Sequence, residues 1–312
     1  AGIAEFSYQI LPTKAIELMR LGLSVKSFGT SRENNSHFVA FSPYLAINFG
    51  ERKARHSIHN DLLIQGIYKR NVLGGAISYD DQGAFFQLTT NYRKPAYQAQ
   101  WVNRYEYFKT GEEFISRIWT NLNQTFNYRV GEMDRKIELN LFGGYTLNYQ
   151  ISAIIPSDRL FWSMNGLQGQ QDLFLEDYNF GRSDVSGFWS QQRMDRHGQF
   201  HTGNAGGSNI NWLSSATLYA QLPVKPNIFG VFADYGMGAG EKKTMDSYLN
   251  AGLALRFGKV LGIYFPLYYG HNATEEGNFI TAPVFTNYAQ NIRFSLRINI
   301  VNRLSLHSLL NS

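Results

Sequence analysis

The stretch "RKIELNLFGGYTLNYQ", residues 135–150, alternates apolar and polar side chains along its whole length. Ile137, Leu139, Leu141, Tyr145, Leu147 and Tyr149 fall on one side; Glu138, Asn140, Thr146 and Asn148 fall on the other. Successive side chains of a strand point to opposite faces, so this segment has one apolar and one polar face. A soluble sheet turns the apolar face onto a core. A strand of a membrane barrel turns it outward, onto lipid. The rest of the sequence decides between them.

The alternation recurs at about 15–28, 37–49, 56–70, 83–94, 96–108 and 113–129, and again at about 208–222, 226–237, 246–257, 260–270 and 290–302. Many of these segments exceed ten residues, whereas strands of globular proteins commonly have about five or six. A spanning strand needs about ten. The apolar sides carry Leu249, Ala251, Leu253, Leu255 and Phe257, then Leu261, Ile263, Phe265, Leu267 and Tyr269, then Ile292, Phe294, Leu296, Ile298 and Ile300. The opposite sides collect Gln98, Gln100, Arg104, Glu106, Arg117, Asn121, Asn123, Glu138, Asn140, Arg293, Arg297 and Asn299. Closing such a sheet with the polar side inward satisfies every backbone group between strands and leaves no edge.

The connections alternate too. "GERKAR" (50–55), "RKPA" (93–96), "VGEMD" (130–134), "PVKP" (223–226) and "GK" (258–259) are tight, whereas 29–36, 71–82, 151–207, 238–245 and 271–289 are longer; only "KTGEE" (109–113) is short where a long one is expected. Outer-membrane barrels have short periplasmic turns and longer outer loops. The sequence therefore predicts an all-β fold: a transmembrane antiparallel up-and-down β-barrel of about twelve strands over residues 13–312, in a bacterial outer membrane with both termini periplasmic. Residues 1–12 also alternate, but a thirteenth strand would break the even count, so they are expected as a periplasmic lead-in. A soluble barrel or β-sandwich with the polar face outward is the competing reading.

Composition agrees with the envelope. No stretch reaches the eighteen or so apolar residues of a membrane helix, and the mean hydropathy of -0.29 resembles a soluble protein. Barrels escape that test because only half of each strand is apolar. The 19 Tyr and 5 Trp are residues favoured at membrane interfaces. Lys and Arg are scattered among acids at a net charge of +5, which gives nucleic acid binding little support. The start "AGIAEFSYQI" lacks the basic end and apolar run of a signal peptide.

Residues 151–207 break the rhythm and are expected as a long extracellular lid or an inward plug. Phe161, Trp162, Phe174, Tyr178, Phe180, Phe188 and Trp189 supply an apolar cluster. Asp172, Glu176, Asp177 and Asp184, with Arg182, Arg193 and Arg196, supply polar contacts within the loop or to the lumen. Arg104, Glu106, Arg117, Glu138, Arg293 and Arg297 are the candidate lumen-lining residues.

Catalytic and metal-binding patterns are largely missing. His56 and His59 in "HSIHN" point to opposite sides of a strand, which is poor geometry for a metal. His197 and His201 lie four apart, but no His-Glu-x-x-His occurs. "DLFLED" (172–177) lacks EF-hand spacing. "GGAISYDDQG" (74–83) lacks a nucleophile elbow, and no Lys follows "GNAGGSN" (203–209). The glycines of "GYTLNYQ" and "FGVFADYGMGAG" read as relief for sheet curvature and turns. No catalytic, metal or cofactor-binding residue is assigned.

"MDSYLNAGLALRFGKVLGIYFPLYYG" (245–270), "NIRFSLRINI" (291–300), the hairpin "FSPYLAINFGERKAR" (41–55) and the start "AEFSYQILP" resemble the C-terminal outer-membrane barrel region fused to some bacterial zinc (gluzincin-type) aminopeptidases. The resemblance implies a membrane part whose peptidase lies upstream, outside this chain, so no catalytic residue transfers to it. The expected function is an anchor or platform for a periplasmic or surface partner domain, with a largely filled lumen. A transport channel for a small polar solute is the alternative, and an outer-membrane hydrolase with an unrecognised site is a third. Expected partners are outer-membrane lipid, including lipopolysaccharide, and an upstream peptidase domain or another envelope protein.

Overall fold

The computed structural model describes residues 2–10, 16–31, 36–53, 56–73, 76–150, 162–164, 174, 188–193, 197–202, 211–239, 245–258, 260–273, 279–280 and 288–296. Long strands follow one another in chain order: β1 (Gly2–Ile10), β2 (Leu18–Ser31), β3 (Ser36–Lys53), β4 (His56–Leu73), β5 (Ala76–Lys94), β6 (Tyr97–Thr110), β7 (Glu113–Val130) and β8 (Met133–Gln150). After the long connection come β9 (Trp212–Gln221), β10 (Phe229–Ala239), β11 (Met245–Phe257) and β12 (Leu261–Ala273). Two short pieces, β13 (Phe279–Ile280) and β14 (Arg293–Leu296), both pair with β12, and a single helical turn, α1 (Tyr288–Asn291), lies between them. Each long strand is antiparallel to its sequence neighbours, so the fold is all-β and up-and-down.

The burial pattern is inside out. In β6 the large aromatic side chains of Trp101, Tyr105 and Tyr107 are exposed, while Arg104 and Glu106 between them are buried. In β8, Leu141, Tyr145 and Leu147 are exposed and Asn140 and Thr146 buried. In β10, Val231 and Tyr235 are exposed, whereas Asp234 has no accessible surface. A soluble sheet of this size would expose the acids and bury the aromatics. The sheet also curls: Glu138 of β8 bonds to Arg256 of β11, three strands away. An apolar convex wall around a polar interior is the arrangement of a transmembrane barrel. The outward leucines of residues 135–150 face away from any core.

Strands β2–β12 answer the first eleven expected spans. Of the last, 290–302, only Arg293–Leu296 is strand among the described residues, and Arg297 lies outside them. Three expectations need correction. Gly2–Ile10 is a wall strand, paired with β2 along its whole length and carrying Phe6 and Tyr8 on the outward face. In consequence Gly2, paired with Ser27, lies toward the Ser31 end of β2, whereas Leu296 pairs with Leu261 at the opposite rim. Second, strands run further than the pattern indicated: only 74–75 separate β4 from β5, where 71–82 was expected as loop. Strand length, not loop length, is thus the feature that separates this wall from a soluble sheet.

Third, β12 changes face. Gly252 pairs with Pro266 but Ala251 with Tyr268, so Leu267 is an extra residue in a bulge. A bulge reverses the in-out parity beyond it. Tyr269, expected beside Leu267 on the lipid face, instead packs against an interior cluster with Phe142 and Tyr248.

An outward leucine near mid-strand should be intolerant of charge. Replacing Leu141 by Arg is expected to lower stability in lipid vesicles by about 2–4 kcal/mol, read from guanidinium unfolding followed by gel migration. Stability unchanged by that substitution would contradict a lipid-facing wall.

Candidate functional site

The polar face of β6 and β7 brings three candidate lumen residues together. Pairing sets Glu106 directly opposite Arg117. The Glu106 carboxylate lies 2.9 Å from Arg104 Nε and also accepts from Arg117 Nε. All three side chains are buried. Aromatic rings cover both guanidinium planes: Arg104 lies 3.5 Å from the Phe85 centroid and 4.8 Å from that of Phe174, and Arg117 lies 4.5 Å from that of Trp162. Phe174 and Trp162 come from the long connection, so loop and wall share this charge cluster.

Glu138 belongs to a second cluster. It accepts from Arg256 and lies 2.8 Å from Lys136 Nζ, while Arg256 stacks 3.5 Å from the Tyr219 ring centroid. Arg293 is buried on β14, opposite Tyr264. A third interior pair, Lys69 with Asp81 across β4 and β5, was missed by the sequence reading.

The long connection enters the lumen. Residues 162–164 and 197–202 lie side by side, joined by Gly198 N–H to Ser163 O (3.1 Å) and Phe200 N–H to Met164 O (2.9 Å). Trp162, Met164 and Phe200 pack with Phe142, Leu213 and Tyr248 of the wall. Phe174 packs in a second cluster with Phe38, Ile67, Phe85, Phe108 and Ile115. Wall side chains also grip this segment. Ser215 Oγ donates to Gly198 O (2.9 Å), Asn250 Nδ2 to Thr202 O (2.6 Å), and Trp162 Nε1 donates to Thr146 Oγ1 (3.0 Å). Asp234 accepts from the His201 backbone N–H and contacts its ring Nδ1, each at 2.6 Å.

Two glycines read from sequence as curvature relief have another role. A Cβ on Gly144 would stand 2.9 Å from the Trp162 ring, and one on Gly236 would stand 2.5 Å from Met164 Sδ. Both contacts are closer than carbon and sulfur atoms pack. The glycines are seats for the plug.

Of the loop candidates, Arg193 is buried and donates to Phe200 O (2.8 Å) and Gln199 O (2.6 Å). Asp172, Glu176, Asp177, Arg182, Asp184 and Arg196 lie outside the described residues. Just before Arg193, Phe188 stacks on Phe294 of β14 at 4.5 Å, and Gln192 bridges to the same residue. His197 packs edge-on against Trp162 at 5.1 Å. Among the described residues no group of three or more His, Asp or Glu is placed to hold a metal ion.

Burial pushes the His201 imidazole below its usual pKa; Asp234 opposes this, and Arg193 and Arg256 reinforce it. Arg256 Nη2 stands 3.5 Å from His201 Nε2, and the Tyr264 ring lies 5.0 Å from the imidazole. The docked ring is therefore neutral near neutrality. Toward the short-turn rim, below the plug, the lumen widens into a cavity of about 1090 Å³ bordered by Asn48, Asp61, Asn91, Gln98, Gln100 and Asn123.

No family model matches the chain, and no curated protein matches it. Solved structures similar to it include CdiB from Acinetobacter baumannii, at 13% identity and a TM-score of 0.41, covering 89% of this chain and 48% of that one. CdiB from Escherichia coli is similar at 11% identity and a TM-score of 0.40, over 90% of this chain and 51% of that one. The beta domain of the Bordetella autotransporter BrkA is similar at 11% identity and a TM-score of 0.30, over 88% and 94%. The chain thus spans about half the length of the two CdiB chains.

Two outcomes follow from the clusters. Replacing Glu106 by Gln leaves two buried guanidinium groups without their carboxylate and is expected to cost about 3–5 kcal/mol of stability, measured by denaturant unfolding. Free imidazole binds a proton below about pH 6.5, whereas docked His201 does so only at lower pH. The undocked state binds more protons in that window, so plug docking weakens as pH falls below about 6.5 and is fully retained above it. Acrylamide quenching of Trp162, with the other tryptophans replaced by phenylalanine, should rise as the pH is lowered. Asp234→Asn should raise it already at pH 7.5.

Proposed function

We propose that the protein is a bacterial outer-membrane β-barrel with an occupied lumen, acting as an anchor or platform for another envelope protein. One observation carries the reading: the aromatic plug seated on the Arg104–Glu106–Arg117 cluster, where a conducting pore would have an open passage. A side chain lining a pore keeps its charge hydrated. Here the charges are paired, covered by rings and buried, as in the interior of a folded protein. The exposed aromatic and aliphatic residues of the convex wall meet outer-membrane lipid, with lipopolysaccharide in the outer leaflet. The short-turn rim faces the periplasm. The partner is a periplasmic or surface domain, and the likeness of residues 41–55 and 245–270 to peptidase-fused barrels favours an upstream peptidase as its identity.

A transport channel for a small polar solute is the second reading, favoured by the polar cavity below the plug. It requires the plug to move. Liposome swelling that is unchanged after deletion of residues 155–205 would count against a gated channel.

Planar bilayers separate the two. The intact refolded chain is expected to give no large, stable conductance steps, and a chain lacking residues 162–202 is expected to give them. Large stable pores from the intact protein would overturn the filled-lumen reading.

A further inference from the structure

The cavity at the short-turn rim has a lining of unusual chemistry. Asn48, Asn91, Gln98, Gln100 and Asn123 present carboxamides from the inward faces of β3, β5, β6 and β7. Asn48, Asn91 and Gln100 are linked through Asp61 and one another. Asp61 accepts from Asn48 Nδ2 and from Asn91 Nδ2 (3.1 Å), and Asn91 Oδ1 accepts from Gln100 Nε2 (3.0 Å). At the deeper end Asn140 Nδ2 donates to Asn121 (2.5 Å) and Asn123 (2.6 Å). Asn48 Oδ1 is buried and has no hydrogen-bond partner among the described residues. That oxygen is closed off from the cavity, so the accessible carboxamides of Gln98 and Gln100 are the groups a ligand meets first.

Charge narrows the ligand class. Among the described residues of the lining Arg93 is the one Lys or Arg, and Glu17 and Asp61 offset it, with His59 Nδ1 lying 3.6 Å from Glu17. A phosphate or carboxylate ligand calls for a cluster of guanidinium donors, and the described residues of the lining hold no such cluster. Shape narrows it further. An extended peptide draws its affinity from a free strand edge and its specificity from pockets for alternate side chains. The strands here are paired on both sides, and Leu18 and Ala99 are the aliphatic residues of the lining. A carboxamide both donates and accepts, as does a hydroxyl, so a fixed array of them matches a ligand with many hydroxyls. At about 1090 Å³ the concavity is larger than the roughly 300–1,000 Å³ of small-molecule pockets, which leaves room for several linked sugar rings.

From this we infer that the cavity is a binding site for a neutral oligosaccharide, held by the side-chain amides of Asn48, Asn91, Gln98, Gln100 and Asn123. The site lies below the plug and does not depend on whether the lumen conducts.

The test is calorimetric titration of the full refolded chain in an amine-oxide detergent, which has no sugar headgroup to compete. Chitotriose and maltotriose are the probes, the first carrying acetamido groups and the second hydroxyls alone. Saturable binding of either supports the inference, and the preferred probe identifies the sugar type. The Asn91→Ala/Gln100→Ala double variant should weaken binding at least about tenfold, equivalent to about 1.4 kcal/mol. Folding of each variant is checked by heat-modifiable gel migration. Should the double variant fail to fold, Gln98→Ala and Asn123→Ala are titrated singly and should each weaken binding. Failure of both sugars to saturate at about 10 mM, binding unaltered in every folded variant, or binding of a polar peptide but neither sugar would each overturn it. None of these outcomes bears on the conductance measurement.

Discussion

Hydrocarbon offers a peptide group no partner, so a strand that crosses it must find its hydrogen bonds in neighbouring strands. Everything else about this wall follows from that requirement. Long antiparallel strands satisfy the backbone, and the side chains are then sorted by what each face meets. Trp101, Tyr105 and Leu141 face outward without penalty because the medium there is apolar. The inner faces are left to carry the groups that cannot meet lipid, and they carry them in pairs: Glu106 with Arg104 and Arg117, Lys69 with Asp81, Glu138 with Arg256.

Pairing alone does not make such an interior stable. A buried ion pair rarely recovers its full desolvation cost, and rings stacked on a guanidinium recover about 0.5–2 kcal/mol each. The plug provides those rings. Phe174 covers Arg104 and Trp162 covers Arg117, so the docked loop shields charges that β6 and β7 have already paired. This shielding explains how a wall built for lipid acquires a packed interior, with Phe142, Phe200 and Tyr248 in contact on the inside, without giving up its outward apolar face.

The wall was legible in the sequence because a period of two, sustained over more than ten residues, has few other causes. The same period puts Arg104, Glu106, Arg117 and Glu138 on polar faces, and the first three are buried. Their pairing was not legible, because it depends on register between strands. Tyr269 was misassigned since one extra residue at Leu267 reverses every later position, and a bulge has no signature in a single strand. Gly2–Ile10 showed its alternation plainly, with Phe6 and Tyr8 against Glu5 and Ser7; the rule of even strand number outweighed it. The plug was legible only as an excess of aromatics. Asp234 and Arg256 gave no local signal, since their partners lie 33 and 118 residues away in the chain.

The plug is fastened largely by its main chain. Ser215, Asn250 and Arg193 hold the carbonyls of Gly198, Thr202, Phe200 and Gln199, and Asp234 takes the amide of His201. Peptide groups are common to all residues, so this clasp is indifferent to what the loop spells. Only the ring positions, the histidine and the glycine seats in the wall constrain it. Side chains of the described segment that make none of these contacts can therefore be exchanged without loosening the clasp, so its hold outlasts drift in sequence.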